Sequence, residues 1–520
     1  MVSQECQGGG TYGGQKEPPY GILTYTWGRW EISQGPAIDI KGTTWKIPAV
    51  QESHFTVEAF RRVIERVGED VEYVWIDIAC IDQEDDVVKM DEVGKQVGIF
   101  RGAHRVYVWL NRLAPSELQR CLDDVFQHGP ELHYEKSGPG VLQCLQTLVG
   151  AFEILFSDPW FSSLWTLQES ILRRDAMILS REASPVLLGF RDGNAFLASL
   201  ISACQNIYKD CARVRTKYSS FFHDPSIKET ADKLYSMIEQ VGFQFLYCSN
   251  PNMQYGAARF RKTSREEDRI YGIMQIYGLD IGSSSSPDHK PVLEQLEDKF
   301  GKALISRSPI LSQMFTHVQT PPHGKSWRIT QHSRVPEELE VYYPPAAFSA
   351  STSESHPSPE IPHCQITTHP ISGQIRVSGK SWPFANLLKY WHLRWDPYLD
   401  TPQKIMLDDS SHTLGRLPPR LSQFNLPPDN RQFELGKSLV ALLGEANLIW
   451  FLLGETLVRT REYGPVYANW FLGLVLLRRP EEGWWERVGV CSWNAGEDFS
   501  LAEQPELPCP QWELFEGQLG

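Results

Sequence analysis

At 520 residues the chain is too long for one hydrophobic core and is read as two or three domains. A hydrophobic fraction of 41%, with 17 Trp, excludes a mainly disordered chain, and a net charge of −14 argues against nucleic-acid binding driven by phosphate neutralisation. Ten scattered cysteines without a CxxC pair, and no apolar stretch near the start, point to a reduced, cytoplasmic protein without a secretory leader.

Residues 1–18 are Gly-rich and are expected to form a flexible tail. "YGILTYTW" from Tyr20 reads as a strand, and Phe60, Val63, Ile64 and Val67 recur at the spacing of a helix over 55–68. "VEYVWIDIA" is a second strand. Met90, Val93, Val97 and Phe100 mark the next helical face, and "RVYVWL" at 105–110 is a third strand. Such alternation predicts a parallel sheet built from crossover units. Helices follow over 139–156 and 159–173, the second opened by Asp158 as N-cap and Pro159 at the first helical position. "AMILS" at 176–180 is a further strand, so the first domain spans 19–182.

Residues 183–345 read as mainly helical. The run "SASTSESHPSPEIP" lies within a linker over 346–365, and 366–520 reads as a mixed α+β region. There "GQIRVSG" is a strand and "LGLVLLRRPEEGWWERVGVCSW" a hairpin turning at "RPEEG". "LVALLGEANLIWFLLGETLV" is the most apolar stretch, but Glu445, Asn447 and Glu455 make it poor for a membrane span; a buried helix pair is expected.

Most catalytic motifs fail on context. Gly8, Gly10 and Gly13 form a literal GxGxxG, but no strand precedes it. "GQIRVSGKS" is one residue too long for a phosphate loop, and "RQFELGKS" has Arg431 in place of its first glycine. There is no HExxH, no GxSxG and no metal-type Cys/His spacing, so no metal site is expected.

Three stretches remain: "YGILTYTWGRW" at 20–30, "YVWIDIACIDQED" at 73–85 and "DPWFSSLWTLQESIL" at 158–172. A parallel sheet delivers Tyr25, Trp27, Gly28 and Asp77 to the carboxyl ends of its strands, where open α/β sheets bind ligands. Asp77 is expected to end a central strand. Trp165 and Glu169 are four apart and share a helix face. Plain readings stand beside these: Asp77 as a turn former, Trp165 as core, and Gln168 with Glu169 as the wet side of an amphipathic helix.

In this order the stretches resemble the fungal heterokaryon-incompatibility (HET) domain. Its signatures appear as Thr24-Tyr25-Thr26-Trp27-Gly28, as Trp75 to Gln83 followed by Ile99-Phe100-Arg101-Gly102-Ala103, and as Trp165-Thr166-Leu167-Gln168-Glu169. Thr24, Asp82 and Phe100 depart from the usual Ser, Asn and Tyr, which puts a role for those side chains in doubt. "TSREEDRIYGIMQIYGL" at 263–279 resembles a segment often found after this domain.

The resemblance implies an effector of fungal nonself recognition leading to cell death, with a fold related to Toll/interleukin-receptor (TIR) domains and their flavodoxin-like parallel sheet. Some TIR domains hydrolyse NAD+ through a Glu in an "S-x-W-C-x-x-E" helix, which Ser163, Trp165 and Glu169 resemble, Thr166 replacing the Cys. By that analogy Glu169 is the catalytic candidate, and Tyr25, Trp27, Gly28, Asp77 and Trp165 line a site for NAD+ as substrate, with no cofactor. The alternative is a non-catalytic signalling scaffold that self-associates through the first domain and binds an unknown protein partner through the rest.

Overall fold

The computed structural model describes residues 11–336 apart from 13–14, 17, 27–29, 32–35, 37, 136, 189–192, 219–223, 247–249, 264, 280 and 282–291. It also describes 361–394 apart from 370–372, together with 404–408, 428–460, 466–494 and 512–520. The chain divides into two compact units. One comprises Met1–Tyr247, Phe260–Gln275 and Gly282–Pro291; the other comprises Cys248–Arg259, Ile276–Ile281 and Val292–Gly520. In the Gly-rich tail, Thr11–Tyr12 and Gln15–Lys16 pair as a short antiparallel ladder.

The first unit is built on a four-stranded parallel sheet, β1 (Tyr20–Thr24), β2 (Tyr73–Trp75), β3 (Arg105–Trp109) and β4 (Met177–Leu179), in the order β2–β1–β3–β4. The predicted strand–helix alternation is therefore present. Helix α1 (Val57–Gly68) makes the first crossover; the Thr56 hydroxyl accepts the Ala59 N–H at 3.1 Å to start it. Its Phe60, Val63 and Val67 are buried against Leu23, Tyr107 and Trp109 on one face of the sheet.

Two details differ from the sequence reading. β2 stops at Trp75, and Asp77 opens a one-turn helix, α2 (Asp77–Cys80). β2 is also an edge strand of this sheet, so Asp77 follows an edge strand rather than ending a central one. Helix α3 (Asp86–Gly102) then leads to β3.

The crossover from β3 to β4 holds three helices, α4 (Pro115–Tyr134), α5 (Gly138–Leu155) and α6 (Leu164–Leu172). α4 is unanticipated, because Pro130 and a charged, Gln-rich surface mask its buried stripe of Leu118, Cys121, Leu122, Val125 and Leu132. Asp158 does act as an N-cap, accepting the Trp160 N–H at 3.0 Å, but it caps a 3-10 turn, Pro159–Ser162, and α6 begins only at Leu164. Helices α7 (Leu197–Lys217), α8 (Pro225–Val241) and α9 (Asp268–Met274) complete the unit.

In the second unit, a short helix Pro251–Ala257 and α10 (Leu293–Arg307) accompany a large, mostly antiparallel sheet. Its strands are β5 (Ile361–Pro362), β6 (Cys364–Thr368), β7 (Ile375–Pro383), β8 (Lys404–Leu407), β9 (Leu448–Thr460), β10 (Val466–Arg479), β11 (Trp484–Asn494) and β12 (Glu513–Leu519). They run β5–β9–β10–β11–β12–β7–β6, with β8 beside β11 and β7 also pairing β9. Helices α11 (Phe384–Arg394) and α12 (Pro428–Leu443) flank it.

The predicted hairpin is β10–β11, its turn closed by Gly483 with φ 73°. The predicted helix pair is instead α12 followed by β9, separated by Gly444 with φ 87°. No helix among the described residues is long and apolar enough to cross a membrane.

A methyl group on Gly473 in β10 would strike the indole of fully buried Trp450 and come within 2.7 Å of the Phe451 carbonyl. Gly473→Ala is therefore expected to lower stability by about 1–3 kcal/mol, read as a reduced denaturant midpoint for the second unit.

Candidate active site

The site begins with the pleat of β1. Successive side chains of a strand point to opposite faces. Leu23 and Tyr25 join the core packed on α1, and Thr24 on the other face meets Trp160 and Glu169.

The Thr24 hydroxyl accepts the Trp160 indole N–H at 2.8 Å and donates to Glu169 Oε2. Because the indole nitrogen can only donate, the single hydroxyl proton of Thr24 is committed to the carboxyl group. Substitution of Thr for the expected Ser keeps the hydroxyl that this contact needs.

Tyr25 is buried, with its ring edge-on to Phe60 at 5.6 Å, and only its hydroxyl reaches the site, donating to Asp77 Oδ1. The same oxygen accepts the Ile78 N–H at 2.7 Å. Asp77 is itself buried. Gln83, six residues on, donates to the Asp77 and Ile81 carbonyls and receives Lys89, which ties α2 to α3.

Burial pushes the Asp77 carboxyl up from 3.8 to about 6, against the opposing pull of Tyr25, the Ile78 amide and the Lys89 charge. Glu169 is pushed further, from 4.5 to about 8, chiefly by burial, with the Asp77 charge adding and the Thr24 bond opposing. Glu169 keeps some exposure as a residue, but its carboxyl is enclosed. At neutral pH the pair thus holds one protonated and one largely ionised carboxyl group. That division suits acid–base or cation-stabilising chemistry. Burial pushes the Cys80 thiol up to about 11, so it is a poor nucleophile.

Trp165 is half-buried, and its side chain hydrogen-bonds Asp268 of α9 rather than joining the carboxyl pair. Gln168 is buried, not on a wet face, and donates to Gln275 Oε1 at 3.3 Å. Trp27 and Gly28 lie outside the described residues.

At the carboxyl ends of the two central strands, the Thr26 hydroxyl and both amide atoms of Asn111 are buried without a hydrogen-bond partner among the described residues. Each such group costs about 1–3 kcal/mol. They flank the point between β1 and β3 where the crossovers change direction, the usual ligand position in an open parallel sheet. A cavity of about 1070 Å³ in this unit is lined elsewhere, by residues of α4 and α7 such as Phe126, His133 and Asn206; none of Tyr25, Asp77, Trp165 or Glu169 lines it.

Three residues of this assembly carried no sequence signal as site residues: Thr24, Trp160 and Arg261. Arg261 is fully buried, donating to the Val241 carbonyl at 2.5 and 3.0 Å and to the Trp160 and Ser163 carbonyls at 3.1 Å. No carboxylate partner is present for it among the described residues, and burial pulls it down to about 9. Beside it, Lys262 exchanges backbone bonds with Ser162 and Leu164 at 2.6 and 2.9 Å. The start of the Glu169 helix is thus held by a segment from far along the chain.

The domain at residues 20–179 is thus a parallel α/β domain with enclosed carboxyl groups following its strands. Residues 20–169 match the family model for Heterokaryon incompatibility protein (HET), and the chain carries a HET domain there. No curated protein and no solved structure matches the chain. The HET domain supports a heterokaryon-incompatibility type of function.

Between pH 4.5 and about 8 folded Glu169 retains a proton that the unfolded chain has released, so stability falls as pH rises through that window. Asp77 acts likewise between 3.8 and about 6. Glu169→Gln is therefore expected to be more stable than wild type at pH 8, the difference closing towards pH 5 by at most about 1.4 kcal/mol per pH unit in urea titrations. Arg261→Ala strands the Val241 carbonyl and removes one of the two donors to each of the Trp160 and Ser163 carbonyls, which Thr166 also serves. It is expected to cost about 1–3 kcal/mol in the same assay.

Proposed function

We propose that the HET domain is a TIR-like NAD+ hydrolase whose activity drives cell death in nonself recognition. The observation that carries this reading is the enclosed Glu169–Asp77 pair, together with Thr26 and Asn111 groups that have no partner among the described residues, in a domain whose sheet is ordered β2–β1–β3–β4. That order is also the one found in flavodoxin-like sheets.

In the reaction, water replaces nicotinamide at the ribose anomeric carbon. The glycosidic C–N bond breaks with its electron pair leaving on nicotinamide, a C–O bond forms to water, and ADP-ribose, nicotinamide and a proton result. The leaving pyridinium is already cationic, so no acid is needed to protonate it. The role left for the protein is to stabilise the oxocarbenium-like ribose, and an ionised carboxylate does this best. Glu169 takes that role. Thr24 orients it, and Asp77, held by Tyr25, supplies a second negative charge. A cationic substrate lowers the pKa of Glu169 as it binds.

The alternative of a non-catalytic scaffold is favoured by one observation: the cavity between α4 and α7 does not include the carboxyl pair. In that reading the domain acts by self-association and the second unit by binding a protein partner.

Nicotinamide release from NAD+ by purified full-length protein tests the choice. The expected result is turnover whose kcat/KM rises with pH to a limb near 8, falling by about 100-fold or more in Glu169→Gln. Absence of turnover in monomeric and assembled wild type, with Glu169→Gln still toxic on expression, would establish the scaffold instead.

A further inference from the structure

Helices α4 and α5 form a hairpin joined by residues 135–137. His128 and Glu131 lie three residues apart on α4 and so share a face, and Cys144 of α5 is as far beyond the turn as His128 is before it. His128 Nδ1 is 2.5 Å from Glu131 Oε2, which is 4.0 Å from Cys144 Sγ. One ligand atom from each residue lies within 4.8 Å of the other two.

We infer that His128, Glu131 and Cys144 form a binding site for a Zn2+-class metal ion that clamps α4 to α5. A tetrahedral ion with bonds of about 2.0–2.3 Å sets its ligands about 3.3–3.8 Å apart, so modest side-chain adjustment would seat it. One nitrogen, one oxygen and one sulfur ligand select a borderline ion over Mg2+ or Ca2+, which prefer oxygen alone. Cys144 is buried in the helix seam, whereas Glu131 is exposed, leaving the fourth position to water on the outer side. An ion pair joins His128 to Glu131 and the Cys144 thiol donates weakly to the same carboxylate oxygen, so all three groups already converge on one point. The site shares no residue with the proposed hydrolase centre and stands or falls separately.

The test uses tag-free full-length protein, stripped with a chelator and dialysed. Zn2+ affinity is measured by competition with a chromophoric chelator, and Co2+ reports thiolate ligation through its near-ultraviolet charge-transfer band. One ion per chain is expected, with a raised thermal midpoint. Cys144→Ser and His128→Ala should lose the Co2+ band or weaken Zn2+ binding beyond the about 10–100-fold typical of outer-shell changes. Glu131→Gln, which keeps the helix surface, should weaken binding too, and far-UV circular dichroism checks that each variant is folded. Failure of wild type to bind Zn2+ saturably, or binding and a Co2+ band unchanged in folded Cys144→Ser and His128→Ala, would overturn the site.

Discussion

The candidate site depends on the pleat of a single strand. Thr24 ends β1 and Tyr25 follows it directly; their side chains part, Thr24 towards Trp160 and Tyr25 into the core packed on α1, yet each ends on a carboxyl group. Thr24 fixes Glu169 from α6; Tyr25 fixes Asp77 from the turn after β2. A one-residue slip in the register of β1 against β3 would exchange the two and break both bonds. Pairing on both sides, to β2 and β3, makes that slip costly.

The electrostatics follow from this placement. Two carboxyl groups in an enclosed region repel, and burial disfavours both charges, so the pair spreads its ionisation over separate pH ranges. Asp77 has the better support, with a tyrosine hydroxyl, a backbone amide and a lysine nearby, and ionises first. Glu169 has one hydroxyl and a negative neighbour, and ionises last. Burial of these groups therefore opposes stability at neutral pH, where Glu169 is held protonated and Asp77 ionises against its surroundings.

Much of the first domain was legible in the sequence. Apolar runs with helical spacing between them revealed β1, α1 and β3, and crossover logic supplied the parallel sheet. Asp77 stood out as the polar end of an apolar run, and Glu169 through its spacing from Trp165 and the resemblance of its helix to a known pattern. What stayed hidden was pairing. Nothing in the spacing of Thr24, Trp160 and Arg261 says that they converge, since a side-chain hydrogen bond across the fold leaves no periodic trace. Length also misled. β2 is too short to show its end, and its apolar pattern ran on through α2. The run from Leu439 to Val458 is apolar on both sides of Glu445 and Asn447, so periodicity could not distinguish two helices from a helix and a strand; Gly444 marks the change.

Arg261 carries a consequence for where this domain ends. The chain leaves the first unit at Tyr247 and returns at Phe260, one residue before the guanidinium that grips the turn leading into α6. A fragment cut at residue 169 or 182 would contain every family signature and still lack the peg that seats its glutamate helix. Sequence similarity thus delimits a shorter object than the contacts that seat it, which reach Gln275, whose side chain anchors Gln168 and the backbone of α3.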